Sequence, residues 1–296
     1  MITTLVVIAT AIVVIAVNLV GLLVIDAQFR PALQAPSLEF VQGTQPKPRL
    51  FIVFDGFLGH PQKRFAALMD VFEGGDVLFV NPQGDRFNLN LVARTVKDYL
   101  KAHDGELLSD ETPTQVVLVG GSLGAKVAYK TALLIEQAQL SRFTLVKLVF
   151  IDPLYDGSGL KLPIGGWLRR FHWSPGAMQN WLFAKLKATS RVLITNDPAD
   201  DTAHSAYGRG VMASRIADEA REAAGPAVAL KLSKPLAVTI VYCNPADDEV
   251  LKSPSQVEAW MRLFPKARII MLDKGTTHHM GLDTEPEAWR ESLRKA

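Results

Sequence analysis

The sequence predicts a doubly wound α/β fold built on a mostly parallel sheet, and three observations carry that prediction. Short β-branched apolar runs, such as QVVLV at residues 115–119, alternate with stretches whose apolar residues recur at helical spacing. Each apolar run is continuous rather than alternating, the pattern of a strand buried on both faces. The connections are short, as they are when helices cross over between parallel strands.

Taken in order, the chain begins with residues 5–25, which are apolar except for Thr10, Asn18 and Gly21 and carry no charge. At about 1.5 Å per residue such a helix crosses the hydrocarbon core of a bilayer, and it is too long for a signal-peptide core. No basic segment precedes it and no small-residue cleavage site follows. Residues 1–26 are therefore expected to be an uncleaved single-pass transmembrane anchor. Arg30, Lys47 and Arg49 all follow the span, so the positive-inside rule favours the rest of the chain on the cytosolic side. Residues 27–48 contain Pro31, Pro36, Pro46 and Pro48 and read as a tether with at most one strand, at 38–42.

The folded domain is expected over residues 49–296. Its first buried strand is RLFIVFD at 49–55, followed by a short helix at 65–72, a strand at 76–80 and a helix at 87–102. That second helix places Leu91, Val92, Val96, Tyr99 and Leu100 on one face. After the strand at 115–119 a helix starts at Leu123, and a further strand at 145–151 ends in Asp152 and Pro153. Residues 160–232 interrupt the rhythm with helical segments and no strand, the mark of an inserted lid.

The first part of that lid, residues 160–191, has Lys161, Arg169, Arg170, Lys185, Lys187 and Arg191 and no acidic residue. Trp167, Phe171, Trp173, Trp181 and Phe183 are interleaved with them. Basic residues mixed with interfacial aromatics suit an anionic lipid surface, and they equally suit a lid whose rings line a substrate pocket. Asp197, Asp200 and Asp201 read as a solvated acidic turn. The sheet resumes at 236–242, and Ser253-Pro254-Ser255-Gln256 has the form of a capping box opening a helix through Leu263. A last strand at 267–272 and a final helix, capped by Thr284, Glu285, Pro286 and Glu287, complete the chain.

The pivotal stretch is Gly120-Gly121-Ser122-Leu123-Gly124, at the junction of a strand with a helix. A direct reversal from strand to helix holds the central residue in a strained turn and needs small neighbours at Gly120 and Gly124. The turn lifts the Ser122 hydroxyl clear of the sheet, and the Leu123 N–H at the helix start faces developing negative charge. No G-K-[ST] follows, which excludes a Walker loop, and G-x-G-x-x-G is absent.

A serine hydroxyl needs a histidine to take its proton, and the imidazole needs a carboxylate to orient it and stabilise its charged form. The chain supplies these downstream, each on a loop after a strand: Asp247 or Asp248, then His278 or His279. His60, His103, His172 and His204 lack such company and read as packing or surface residues.

Together these features resemble the α/β-hydrolase superfamily over residues 49–296, with Ser122 in the nucleophile elbow. The resemblance implies the order Ser, acid, His. Asp247 stands three residues before Val250, similar to the family's D-x-x-V pattern, and His279 stands seven before Pro286, a familiar spacing; Asp248 and His278 are the alternates. Asp152 occupies a rarer position for the acid. The family's H-G-x turn corresponds to Asp55-Gly56-Phe57, which implies Phe57 as the second oxyanion donor beside Leu123, with Asp55 in place of the usual His. Too few residues separate the anchor from residue 49 for two antiparallel strands, so the sheet is expected to be trimmed at its amino-terminal edge.

Composition bounds the rest. Of 296 residues 48% are apolar and the formal charge is +2, a globular balance without the charge excess of a nucleic-acid binder. The single Cys243 excludes an intrachain disulfide and reads as a buried inert thiol. No metal-ligand spacing is present and no cofactor is implied. The expectation is a membrane-anchored serine hydrolase of the esterase, lipase or thioesterase kind, acting on a lipophilic acyl ester. Acyl transfer by the same triad, or a non-catalytic hydrolase-like lipid-binding protein, are the alternatives.

Overall fold

The computed structural model describes residues 13, 17, 32–44, 49–56, 61–72, 74–84, 86–104, 113–161, 213–227, 231–248, 250–273 and 286–296. Among the described residues seven strands form one sheet: β1 (Ser37–Val41), β2 (Arg49–Phe54), β3 (Asp76–Asn81), β4 (Thr114–Gly121), β5 (Phe143–Ile151), β6 (Ala237–Tyr242) and β7 (Arg268–Met271). Their spatial order is β1-β3-β2-β4-β5-β6-β7. Every pair is parallel except β1 with β3, which is antiparallel with Ser37 opposite Asn81. The strand expected within the tether at 38–42 is present as β1, and it forms one edge of the sheet among the described residues.

The apolar runs read as strands because both faces are covered. Leu50, Ile52 and Phe54 of β2 join a core on one side of the sheet, while Phe51 and Val53 join a core on the other. On the first side lie α2 (Leu89–His103), α3 (Leu123–Ala138) and α5 (Ser253–Leu263), with the fully buried Trp260 packed against Tyr129, Phe150 and Tyr155. The second side holds α1 (Pro61–Phe65), the 3-10 turn Ala66–Phe72 that continues it, and α6 (Pro286–Lys295) with buried Trp289. Helix α4 (Ala213–Ala224) precedes β6 in the chain.

Several expected elements shift. Helix α2 begins at Leu89 rather than residue 87, because the Asn88 side chain accepts from the Leu91 N–H and caps it. The capping box expected at Ser253 does not form: the Ser253 hydroxyl donates to Asp248, and the Gln256 side chain accepts from the N–H groups of Tyr155 and Asp156. Those two side chains are spent on tertiary contacts, so α5 starts from Lys252 without a side-chain cap.

On β5 the partner of the sheet skips from Leu145, opposite Val116, to Lys147, opposite Val117, which leaves Val146 as a bulge. Among the described residues no helix is long and apolar enough to cross a membrane. The expected anchor at 5–25 lies outside them apart from Val13 and Val17, as do residues 162–212 of the expected lid.

Candidate functional site

The carboxyl ends of the parallel strands gather the polar residues singled out above. Ser122 sits between β4 and α3 with φ 47° and ψ −114°, a left-handed conformation that costs a non-glycine residue about 1–3 kcal/mol. Backbone contacts hold it there: its N–H donates to Ile151 O at 2.8 Å, and its carbonyl accepts from Ala125 N–H at 3.2 Å and Leu154 N–H at 3.1 Å. The two flanking glycines are demanded by space. A Cβ at Gly120 would lie 2.5 Å from Gly124 O, and one at Gly124 would lie 2.5 Å from Asp55 O and 2.6 Å from Phe54 O. Strand β2, strand β4 and helix α3 thus meet with no room for a methyl group. Ser122 is 6% exposed.

The neighbouring strand end repeats the strain. Asp152 has φ 42° and is buried; its N–H donates to Val241 O, and its Oδ1 accepts from the Cys243 N–H at 2.8 Å. These bonds tie the ends of β4, β5 and β6 together.

The loop leaving β6 is a tight turn in which Asn244 O accepts from the N–H groups of Asp247 and Asp248. The two aspartates then part. Asp247 is half-buried, whereas Asp248 is 1% exposed and its Oδ1 accepts from Val250 N–H at 2.9 Å and Leu251 N–H at 2.7 Å, with Ser253 Oγ on Oδ2. Lys161 fastens the same loop by donating to the carbonyls of Pro245 and Asp248.

Residues 81–291 match the alpha/beta hydrolase family. The chain belongs to that family. No curated protein matches the sequence at a significant level. Among solved structures, the type II thioesterase BorB from the borrelidin biosynthetic cluster is 16% identical, with 87% of this chain and 96% of that one covered at a TM-score of 0.57. The RedJ thioesterase from the prodiginine pathway of Streptomyces coelicolor is 17% identical, covering 91% and 92% at a TM-score of 0.54. A lipase-esterase related protein from Clostridium acetobutylicum is 12% identical, covering 88% and 99% at a TM-score of 0.56. At these identities the likeness establishes the fold.

In this hydrolase the described part of the site holds Ser122, Leu123, Asp247 and Asp248; Phe57, His278 and His279 lie outside the described residues. Asp152, Cys243 and Asp248 bring their ligand-type atoms within 4.8 Å of one another. The thiol is buried, and burial together with Asp152 and Asp248 raises its pKa far above the usual value, which keeps it protonated. Since both carboxylates already accept backbone N–H bonds, this cluster is a packed polar layer behind the acid loop.

One hydrolase residue escaped the sequence reading altogether. Lys126, one turn into α3 from Ser122, is 3% exposed and donates to three carbonyls at the end of α4: Glu222 O at 2.7 Å, Ala223 O at 3.1 Å and Gly225 O at 2.5 Å. It is a C-terminal helix cap delivered from another helix. Burial lowers its pKa to about 8, offset in part by Glu222 and Asp156. Helix α4 is further fixed by Asp218, which accepts from Arg86 Nε at 2.5 Å and from the Phe87 N–H at 3.2 Å. A lysine inside the otherwise apolar start of α3 was the only sequence signal.

Proposed function

We propose that this protein is a serine hydrolase that cleaves carboxylic ester or thioester bonds through an acyl-enzyme. The observation that carries the reading is the strained Ser122 between β4 and α3, with glycines on both sides where no Cβ fits, in a chain of the alpha/beta hydrolase family. Ser122 Oγ attacks the acyl carbonyl while His279 takes its proton, with His278 as the alternate. The tetrahedral oxyanion is held by the N–H groups of Leu123 and Phe57, and collapse expels the alcohol or thiol after His279 returns the proton. Water, activated by the same imidazole, then releases the acid. The chemistry calls on no cofactor.

For the orienting acid, the geometry favours Asp248 over Asp247, which the sequence pattern preferred. A triad carboxylate is buried and fixed by hydrogen bonds so that it holds the imidazole in one tautomer. Asp248 is buried and accepts two backbone N–H groups, while Asp247 is half-buried on the turn. The thioesterase neighbours RedJ and BorB support a thioester as one form of the substrate. Membrane anchoring through residues 5–25, a cytosolic catalytic domain and a lipophilic acyl group rest on the apolar span, the basic residues after it and the aromatic lid.

A fluorophosphonate probe tests the core of the proposal: it labels the wild type and fails to label Ser122→Ala. Labelling that survives in that variant removes Ser122 as nucleophile. Profiling p-nitrophenyl esters by chain length tests the lipophilic substrate, which is refuted by turnover confined to short soluble esters.

A further inference from the structure

The loop that carries Asp247 and Asp248 is held from outside itself, by the short segment that follows β5. Asp156 accepts from the Ser158 N–H at 2.9 Å and opens a single 3-10 turn at Gly157–Gly159. From there the chain runs antiparallel to the acid loop. Leu160 bridges Leu251, the Lys161 N–H donates to Val250 O at 2.9 Å, and the Lys252 N–H donates to Gly159 O at 2.6 Å. The approach is close: a Cβ on Gly159 would lie 2.0 Å from Gln256 Nε2. Gln256 Oε1 in turn accepts from the Tyr155 N–H at 2.6 Å and the Asp156 N–H at 3.1 Å, so the segment is fixed at its start as well.

The side chain of Lys161 completes this clasp. Its ammonium donates to the carbonyl of Pro245, at 3.3 Å, and to that of Asp248. Carbonyls at both ends of the Pro245–Asp248 turn thus converge on one half-buried cation. Such charge-assisted bonds are worth roughly twice a neutral hydrogen bond. Asp248 is therefore held in two ways. Its carboxylate is fixed from within the loop by Val250, Leu251 and Ser253, and its main chain is fixed by Lys161, 87 positions away. A carboxylate is placed no better than the backbone that carries it, and a misplacement of about 1 Å can cost a reaction about a hundredfold in rate.

We propose that Lys161 is a positioning residue for the hydrolase reaction, holding the backbone of the acid loop so that Asp248 stays set against the catalytic imidazole. This role rests on the serine-hydrolase reading above and on Asp248 as its acid. Lys161 acts through Asp248 rather than on the substrate.

The test pairs hydrogen–deuterium exchange with kinetics, both on the full chain. Lys161→Met should speed exchange of the Val250 and Leu251 amides about tenfold and leave β4 and α3 unchanged. With the best p-nitrophenyl ester of the chain-length series, it should lower kcat about tenfold to a hundredfold at unchanged KM. Lys161→Arg, which keeps a cation with several donors, should restore most of that loss. In an Asp248→Asn background Lys161→Met should cost nothing further, whereas a merely structural lysine would cost the same in both backgrounds. Should Lys161→Met fail to fold, Lys161→Gln, uncharged but still a donor, carries the same expectations. Unchanged exchange at Val250 and Leu251, an unchanged kcat, or an equal cost in the Asp248→Asn background would each overturn the role. Turnover that survives Ser122→Ala would instead bring down the serine reading, and the exchange result would still decide whether Lys161 holds the loop.

Discussion

The two ends of the parallel strands are built on opposite terms. At the carboxyl end the backbone is strained at Ser122 and again at Asp152, and the strain is held by interstrand N–H bonds and by glycines with no space beside them. Toward the amino end β5 is bulged at Val146, and a cavity is left open under α6. Strain is tolerable where surrounding bonds over-determine it, so the close-packed end is where a reactive hydroxyl can be fixed. The amino end keeps open space that the close-packed end lacks.

Changes at the two ends should therefore differ in kind. The largest effect is expected from Gly124→Val, whose side chain has nowhere to go between β2 and α3. A loss beyond about 4 kcal/mol, read as failure to obtain folded protein, is the expected outcome. Lys147→Gln at the open end should move the unfolding midpoint by no more than about 0.5 kcal/mol. Comparable losses in the two would dissolve the contrast.

Next comes the acid. Asp248→Asn keeps an oxygen for the Val250 and Leu251 N–H groups while removing the charge that the proposed mechanism assigns to orienting the imidazole. It should cut kcat by about a thousandfold to ten-thousandfold with the fold retained. Asp247→Asn should change kcat little. Equal and mild losses in both would move the role to Asp152.

A smaller effect is expected at the cap. Lys126→Met should cost about 1–3 kcal/mol in urea melts, because three carbonyls at the end of α4 lose their donor. Its pH dependence has a definite sign. Folding lowers the Lys126 pKa from 10.5 to about 8, so between those values the unfolded chain holds a proton that the folded chain has shed. Wild-type stability should rise with pH across that window relative to Lys126→Met. A flat difference would show that the ammonium is not desolvated as the structure implies.

The smallest effect should be a gain. Ser122→Gly removes the penalty of a left-handed side-chain-bearing residue and should stabilise the protein by about 0.5–1 kcal/mol while abolishing turnover. A destabilised Ser122→Gly would mean that the elbow is not strained at all.

Much of this was legible in the chain because it is local. A strand buried on both faces writes itself as an unbroken apolar run, and a reversal without space writes itself as glycine at positions 120 and 124. The strand in the tether was also readable, expected at 38–42 and found at Ser37–Val41. What the sequence hid depends on partners far along the chain. Ser253 and Gln256 have the form of a cap, yet their side chains are drawn to Asp248 and to the Tyr155 and Asp156 backbone. The choice between Asp247 and Asp248 turns on which carboxylate meets the Val250 and Leu251 amides, a matter of loop trajectory. The bulge at Val146 leaves no mark in composition, and a lysine among small apolar residues gives no hint of carbonyls almost a hundred positions away.

That last contact bears on how the protein is born. Helix α3 carries Ser122 at its head and Lys126 one turn in, and the oxygens that satisfy Lys126 belong to residues 222–225. On a ribosome those residues emerge long after the elbow has been made. Until they arrive, Lys126 lacks these carbonyl acceptors and its cation is costly to dehydrate. The contact between α3 and α4 is therefore completed only once the chain has been synthesised past residue 225.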